Sequence, residues 1–305
     1  MVDVLIAGGG PAGMTAAIYA ARSGLSVLLI AGPAQGGQVA TTSLVENYPG
    51  FPQIYGADLV QKLEEHVASA GVRMLSEQAK AFRLSGAVKT VETETGAYEG
   101  RAVILAQGSE RRKLGVPGEE KFAGRGVSYC ATCDGNFFRG KTVAVVGGGN
   151  TAVGNAAELA GVCAKVYLVT RGTELSAADY LIKRVRGLPN FEHLSGWRAG
   201  EIRGSQKVES LLLLNTEDGS EKLLSVDGVF VAIGVRPNTR LLEGALPLSD
   251  GFVEAGEDCE TPIPGVFAAG DLRKKRLYQI VTAISDGANA AHSALLYLQG
   301  HPVRE

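Results

Sequence analysis

Two cysteines separated by two residues are the part of this sequence most suited to chemistry. Cys130-Ala-Thr-Cys133 is followed directly by Asp134. Cysteines at this spacing can close a small, easily reduced disulfide, which suits thiol–disulfide exchange better than fold stabilisation. A carboxyl group beside the second sulfur can give or take the proton that thiolate chemistry requires. We therefore predict that Cys130, Cys133 and Asp134 form a redox centre.

Metal binding is the main alternative for closely spaced cysteines. A structural zinc site usually takes its four ligands from two such pairs. The remaining cysteines, Cys163 and Cys259, are isolated in the sequence and form no second pair. The sequence therefore predicts no metal site, and it predicts that these two thiols are buried or incidental rather than redox partners.

Glycine-rich turns occur twice along the chain. Gly8-Gly9-Gly10 is followed by Gly13, and Gly147-Gly148-Gly149 is followed by Ala152. Each turn lies between an apolar, strand-like run and a helix-like stretch, with a second apolar run after the helix. Glycines in this context let backbone N–H groups approach a pyrophosphate at a helix N-terminus. The repeat predicts two dinucleotide sites, with two purely structural turns as the alternative.

Repeated strand–turn–helix–strand units predict parallel sheets that are covered by helices. Proline and glycine in 114–118, and proline in 235–238, predict two hinges. We predict an α/β protein with two Rossmann-like, three-layer dinucleotide-binding domains, of which the second is inserted into the first. The first domain comprises residues 1–117 and 241–305, and the second comprises residues 118–240. An insertion joined by two short connections can rotate as a body.

The charge balance argues against two classes of partner. The 305 residues include 30 basic and 32 acidic side chains, for a formal net charge of −2. Nucleic acid and anionic membranes therefore lack their main electrostatic attraction. No apolar run approaches the ~20 residues of a membrane helix, and no basic leader precedes the first apolar run. We expect a cytoplasmic protein that binds neither nucleic acid nor membrane.

A Gly-Asp turn near the end of the chain suggests a flavin. Gly270-Asp271 closes an apolar run, where the carboxylate can bind a ribityl hydroxyl and Gly270 leaves room for the flavin chain. An ordinary helix N-cap is the alternative role of Asp271. Residues 279–298 read as a closing helix whose N-terminus would point at the flavin ring. Flavin and dithiol together predict an electron relay to an external disulfide.

The order and content of these motifs resemble the low-molecular-weight thioredoxin reductases over essentially the whole chain. The matching segments are 36–38, 45–50, 130–138, 143–150, 237–239 and 265–271. The resemblance implies FAD on the discontinuous domain, NADPH or NADH on the inserted domain, thioredoxin as partner and a homodimer. It also implies that Cys133 faces the flavin, that Cys130 attacks thioredoxin, that Asp134 is the acid, and that two domain orientations alternate.

The predicted cofactor-binding residues lie in the glycine turns, in the Gly-Asp turn and at the start of the closing helix, with a few positions from the matching segments. They are Gly8, Gly10, Pro11, Ala12, Gly13, Gly36, Gly37, Gln38, Asn47, Gly147, Gly149, Asn150, Thr151, Arg171, Gly270, Asp271, Tyr278, Gln279 and Ile280.

The pyridine-nucleotide site departs from the family pattern. Members of this family usually carry His-Arg-Arg-x-x-x-Arg after the second strand of the inserted domain, whereas residues 170–176 here retain Arg171 alone. Losing two guanidinium contacts, at ~1.5–3 kcal/mol each, can erase a preference for the 2′-phosphate of NADPH. Tyr278 replaces an arginine before Gln279 and could stack over the flavin where nicotinamide would lie.

These departures leave the electron donor and the direction of the reaction open. The leading hypothesis is a thioredoxin reductase that uses NADPH or NADH. The alternatives are a thioredoxin reductase that takes electrons from ferredoxin or another non-pyridine donor, a flavin-dependent dithiol oxidase that uses O₂, and a non-catalytic redox-responsive binding protein. The basic run 273–276 is expected to be a solvated loop.

Overall fold

The structure, a computed structural model, describes residues 1–33, 35–42 and 44–302. The chain forms two units, which we call unit 1 (Met1–Glu110 and Arg236–Glu305) and unit 2 (Arg111–Val235). The boundaries predicted from the sequence lie a few residues later in the chain. The chain passes between the units in Ser109–Arg111 and Val235–Pro237, and these two short strands pair with each other.

The helices and strands of the described residues are numbered in chain order. The α-helices are α1 (Pro11–Arg22), α2 (Gly56–Ser69), α3 (Ala131–Asp134), α4 (Asn150–Ala160), α5 (Asp179–Arg186) and α6 (Ile280–Gly300). The strands are β1 (Val2–Ala7), β2 (Val27–Ile30), β3 (Leu44–Val45), β4 (Ile54–Tyr55), β5 (Arg73–Leu75), β6 (Ala81–Arg83), β7 (Lys89–Glu92), β8 (Ala97–Leu105), β9 (Ser109–Arg111), β10 (Val127–Ser128), β11 (Thr142–Val146), β12 (Lys165–Thr170), β13 (Phe191–Ser195), β14 (Trp197–Arg203), β15 (Ser210–Asn215), β16 (Glu221–Ser225), β17 (Gly228–Val231), β18 (Val235–Pro237), β19 (Leu248–Ser249), β20 (Phe252–Val253) and β21 (Val266–Ala268).

Unit 1 is built on a sheet in the order β5-β2-β1-β8-β7-β6, with β21 also paired to β8. Strands β5, β2, β1, β8 and β21 are parallel, and most apolar side chains of β1, β2, β8 and β21 are buried. Helices α1 and α6 pack closely, since a Cβ added at Gly287 would lie 2.2 Å from the carbonyl oxygen of Ala12. This packing brings the Gly270–Asp271 turn to the start of α1.

Unit 2 is built on a parallel sheet in the order β10-β17-β11-β12-β13, beside the antiparallel sheet β14-β15-β16. Helix α4 follows β11 through the second glycine turn and buries Ala152, Val153 and Ala156. The prediction of an α/β chain with two Rossmann-like units is confirmed. In such sheets, ligands bind beyond the carboxyl ends of the strands.

None of the helices in the described ranges is both long and apolar enough to cross a membrane.

Candidate functional site

Cys130 and Cys133 are joined by a disulfide at the start of the short helix α3 in unit 2. Their Cα atoms are 5.3 Å apart. The backbone N–H of Cys133 donates to Cys130 Sγ over 3.1 Å, and the N–H of Asp134 donates to the carbonyl oxygen of Cys130 over 3.1 Å. One turn of backbone thus carries both sulfurs and the carboxyl group, as the sequence predicts. We call Cys130–Asp134 the redox loop.

The carboxyl group of Asp134 is held by Ser128, which the sequence analysis did not single out. Ser128 Oγ donates to Asp134 Oδ2 over 2.6 Å and accepts from the backbone N–H of Cys130 over 3.1 Å. Ser128 lies in β10 and is 4 % exposed. A serine two residues before a Cys-x-x-Cys-Asp segment was the available signal.

Aromatic packing fixes the chain after Asp134 to the sheet of unit 2. Phe138 is buried with its ring 5.1 Å from that of Phe230 in an edge-to-face arrangement. A Cβ at Gly228 would lie 2.3 Å from the Phe138 ring, so glycine is required there for the approach. The neighbouring Phe137 is exposed. The redox loop is therefore followed by one anchored aromatic ring and one that faces solvent.

The second glycine turn adopts the geometry expected of a dinucleotide-binding turn. Gly147 has φ +139°, and a Cβ there would lie 2.3 Å from the carbonyl oxygen of Ala232. Gly149 is the N-cap of α4, and Asn150 is the first helical residue. The Asn150 side chain accepts a hydrogen bond from the N–H of Ala178 over 2.8 Å. Asn150 is therefore used in part to bind the loop that follows β12.

The residues after β12 present little charge to a nucleotide. Arg171 is exposed, whereas Thr170 is buried and donates from Oγ1 to the carbonyl oxygen of Gly172 over 2.8 Å. Thr170 Oγ1 also lies 2.8 Å from His193 Nε2. Burial, with the nearby Arg186 guanidinium, lowers the pKa of His193, so this ring is neutral near pH 7. Of the arginines in the family pattern, Arg171 is therefore the one retained here, and its side chain is exposed.

The first glycine turn of unit 1 is closed on one side and open on the other. A Cβ at Gly8 would lie 2.2 Å from the carbonyl oxygen of Ala106, and one at Gly13 would lie 1.8 Å from the carbonyl oxygen of Gly8. A Cβ at Gly10 would have no atom of the described chain within 4 Å. Gly10 thus borders free space at the N-terminus of α1, where Pro11 and Ala12 begin the helix.

The Gly36–Gln38 segment lies directly over this turn. The N–H of Gly36 donates to the carbonyl oxygen of Gly9 over 2.8 Å, and a Cβ at Gly37 would lie 3.7 Å from Gly10 Cα. The Gln38 side chain donates to the carbonyl oxygen of Ser109 over 2.8 Å. Two sequence-distant glycine segments therefore form one surface.

The start of α6 joins Asn47 to Gln279. Asn47 Nδ2 donates to Gln279 Oε1 over 3.1 Å, and Gln279 also forms a capping box with Thr282. Ile280 is the first residue of the helix. The ring of Tyr278 packs 5.4 Å from the Phe252 ring, so its stacking on a flavin stays a prediction.

A buried charge cluster supports the Gly270–Asp271 turn. Asp286 of α6 accepts hydrogen bonds from the N–H of Gly270, from Arg273 and from Lys275, at distances between 2.6 and 3.1 Å. Lys275 Nζ also lies 3.4 Å from Asp271 Oδ1. The expectation of a solvated loop at 273–276 is therefore wrong for Arg273 and Lys275, because these cations are paired inside the protein with Asp286, eleven to thirteen positions later, and Lys275 also with Asp271.

The edge of the unit 1 sheet fits a dinucleotide cofactor. Gly10 offers free space at a helix N-terminus, and the side-chain amide of Gln107, after β8, is shielded from solvent with no hydrogen-bond partner in the described chain. A buried amide without a partner costs ~1–3 kcal/mol, so a bound ligand with polar groups can be favoured there. Sequence analysis did not identify Gln107.

The other cysteines are buried thiols in separate units. Burial raises the pKa of Cys163 to about 11, and burial with the nearby Asp286 raises that of Cys259 to about 12. Both therefore stay protonated near neutral pH. Among the described side chains, no three His, Cys, Asp or Glu residues are grouped to hold a metal ion.

Comparison with known proteins supports this arrangement. Residues 2–287 match the family described as pyridine nucleotide-disulphide oxidoreductase. The chain is 42 % identical to a thioredoxin reductase of Bacillus subtilis over 299 residues, which cover 97 % of this chain and 95 % of the relative. The crystal structure of a Streptococcus pyogenes thioredoxin reductase superposes with a TM-score of 0.92 at 41 % identity, covering 98 % and 99 % of the two chains. A ferredoxin-flavin thioredoxin reductase of Clostridium acetobutylicum is 34 % identical, with a TM-score of 0.54 and 98 % of each chain covered.

Proposed function

Because this chain belongs to the pyridine nucleotide-disulphide oxidoreductase family, we propose that it is an FAD-dependent thioredoxin reductase. The observation that carries the proposal is the Cys130–Cys133 disulfide, which shares one turn of backbone with the carboxyl group of Asp134. The B. subtilis and S. pyogenes relatives bear the same activity in their names and match nearly the whole chain.

In the reductive half of the cycle, a flavin held in unit 1 would, once reduced by the electron donor, supply the two electrons and two protons that convert the Cys130–Cys133 disulfide to a dithiol. The residues that would hold FAD are the Gly8–Gly13 turn and Gly36–Gln38, which border the free space at the N-terminus of α1, and Asp271, whose neighbour Gly270 lies against Ala12 of that helix. Asn47 and Gln279 are linked at the start of α6 and would bind the cofactor as a pair.

The oxidative half consists of two thiol–disulfide exchanges. The Cys130 thiolate attacks one sulfur of the thioredoxin disulfide, which forms a mixed disulfide and releases the other thioredoxin sulfur as a thiolate. Cys133 then attacks Cys130 Sγ, so that the mixed disulfide breaks and the Cys130–Cys133 bond forms again. Asp134 gives its proton to the first departing sulfur of thioredoxin, and the proton that Cys133 loses goes to the second, so that two electrons and two protons reach thioredoxin. Asp134 recovers its proton when the cysteines are next reduced.

NADPH or NADH, bound at the second glycine turn, is the first candidate for the electron donor. Gly147, Gly149, Asn150 and Thr151 form the turn and the N-terminus of α4, which suits a pyrophosphate. Arg171 is the remaining cation for an adenosine phosphate. A ferredoxin donor is the second candidate, favoured by the single arginine and by the similarity to the C. acetobutylicum protein.

The further expectations concern assembly and location. We propose that the protein is a homodimer and acts in the cytoplasm, and that the FAD-binding domain comprises 1–117 with 241–305 while 118–240 carries the cysteine pair. Size measurement by light scattering tests the first point, since a monomer at micromolar concentration would contradict it.

Anaerobic mixing distinguishes the candidate donors. The FAD-loaded protein is mixed with NADPH, with NADH, or with reduced ferredoxin, and the flavin absorbance is followed. Bleaching by NADPH or NADH identifies a pyridine-nucleotide enzyme, and bleaching by ferredoxin alone supports the second candidate. Oxygen consumption driven by an added dithiol would instead indicate an oxidase.

Cysteine variants test the relay itself. Cys130→Ser should abolish thioredoxin reduction, and Cys133→Ser should leave the flavin reducible while electrons go no further. Cys163→Ala is the matched control, since this buried thiol lies outside the proposed relay and should leave turnover unchanged. Full activity in either Cys130→Ser or Cys133→Ser would refute the proposal.

A further inference from the structure

Ser128 is a buried hydroxyl between the redox cysteine loop and the carboxyl group of Asp134. Its Oγ atom lies 2.6 Å from Asp134 Oδ2 and 3.3 Å from the carbonyl oxygen of Cys130. It also accepts the backbone N–H of Cys130 over 3.1 Å. The hydroxyl therefore touches three polar groups of the loop. When Asp134 is ionised, its carboxylate and the Cys130 carbonyl oxygen are both acceptors and cannot donate a hydrogen bond.

One hydroxyl carries one proton, so it cannot donate to both acceptors at once. When Asp134 is ionised, the Ser128 O–H is best directed at Oδ2, because a charged acceptor makes the stronger bond. When Asp134 is protonated, the carboxyl O–H can donate to Ser128 Oγ, and the Ser128 O–H is then free for the Cys130 carbonyl oxygen. Every polar group keeps a partner in both states.

We propose that Ser128 is a positioning residue for Asp134, one that holds the carboxyl group beside the cysteine loop in both charge states by reversing the direction of its single O–H. This inference rests on the proposed function, in which Asp134 is the acid. The proton that leaves Asp134 goes to a departing sulfur, and the Ser128 proton moves only by rotation about its Cβ–Oγ bond. No further donor is needed.

Other charged side chains near the loop have partners of their own. Glu158 of α4 accepts from Thr132 Oγ1 over 3.1 Å, and Asp227, before β17, accepts from the backbone N–H of Thr142 over 3.0 Å. Lys141 Nζ donates to the carbonyl oxygen of Phe137 over 2.9 Å, and Arg139 donates to the side chain of Asn136 over 3.3 Å. Each can influence the titration of Asp134 through space, so variants must be compared at constant ionic strength.

The test is the pH profile of thioredoxin reduction in Ser128→Ala. Loss of the hydroxyl removes a hydrogen bond that favours the ionised carboxyl group, so the pH at which activity falls on ionisation of Asp134 should rise. The maximal rate should fall about 10-fold or more, because a charge-assisted hydrogen bond contributes ~1.5–3 kcal/mol. Ser128→Thr, which keeps the hydroxyl, should restore the profile. Ser225→Ala, an exposed serine of the same unit, is the matched control.

A double-variant cycle separates positioning from a purely structural role. In the Asp134→Asn background, Ser128→Ala should cause little further loss, since the hydroxyl acts through the carboxyl group. An unchanged profile in Ser128→Ala, or equal losses in both backgrounds, overturns the inference.

A second readout is independent of turnover. Carbon-13 NMR of the Asp134 carboxyl group in the dithiol form should show its titration moving to higher pH in Ser128→Ala. If thioredoxin is not reduced by the wild-type protein, the proposed function fails, while the NMR shift still supports or overturns the role of Ser128.

Discussion

Loss of the Asp286 carboxylate should strongly destabilise unit 1, because it is the common partner of two buried cations. Its carboxylate, 4 % exposed, binds Arg273 at 2.6 and 2.9 Å and Lys275 at 3.1 Å, and these cations are 12 % and 8 % exposed. Removing one partner of a buried ion pair costs ~3–5 kcal/mol, because the opposite charge stays buried without compensation. Asp286→Ala should therefore shift the unfolding equilibrium of unit 1 by roughly 150- to 5,000-fold.

Hydrogen exchange of the amides in α1 and α6 measures this loss within unit 1 alone, whatever the behaviour of unit 2. Asp286→Asn separates charge from volume: it keeps the shape of the side chain, so a similar loss identifies the unpaired cations as the cause. Glu94→Ala is the matched control, since its pair with Lys80 is exposed and should contribute no more than ~1 kcal/mol. A loss below ~1 kcal/mol in both Asp286 variants would refute the reasoning.

Three further predictions test other parts of the molecule. Gly10→Ala should weaken FAD binding, measured by titration calorimetry, and should change the stability of the FAD-free protein by no more than ~1 kcal/mol in urea unfolding. Gly13→Ala should weaken FAD binding and also destabilise the FAD-free protein. Cys163 and Cys259, with raised pKa values, should resist iodoacetamide at pH 8 in the folded oxidised protein, and rapid labelling by mass spectrometry would contradict their burial. Because the pKa of His193 is lowered in the folded protein, the unfolded chain takes up a proton at this side chain first as the pH falls below 6.5. Unit 2 should therefore lose stability in this range. His193→Gln should reduce that loss, as urea titrations at pH 7.5 and 5.5 would show.

Features defined by adjacent residues could be predicted from the sequence. The glycine turns combine a strand, a tight turn and a helix within about twenty positions, so their dinucleotide-binding geometry follows from local rules. The closing helix predicted for 279–298 is observed as Ile280–Gly300, because apolar periodicity extends along its length. The disulfide between Cys130 and Cys133 could likewise be predicted, because the two cysteines are only three positions apart in the sequence.

Features that depend on distant partners could not be predicted in this way. Arg273 and Lys275 look like solvated cations until the fold places Asp286 beside them. Asn47 and Gln279 are 232 positions apart and meet only because α6 returns to unit 1. No local pattern records such contacts, since burial of a charge depends on what the rest of the chain brings to it.

The redox loop also has to survive the breaking of its own disulfide. The contacts that fix it include the Asp134 N–H bond to the Cys130 carbonyl oxygen, the Ser128 bonds and the packing of Phe138, and none of these involves sulfur. The Cys133 N–H bond does involve sulfur, and it becomes stronger when Cys130 is a thiolate, because a charged acceptor replaces a neutral one. The contacts without sulfur can therefore hold the loop after reduction, and the N–H of Cys133 points at Cys130, the sulfur to which the proposed exchange mechanism assigns the first attack.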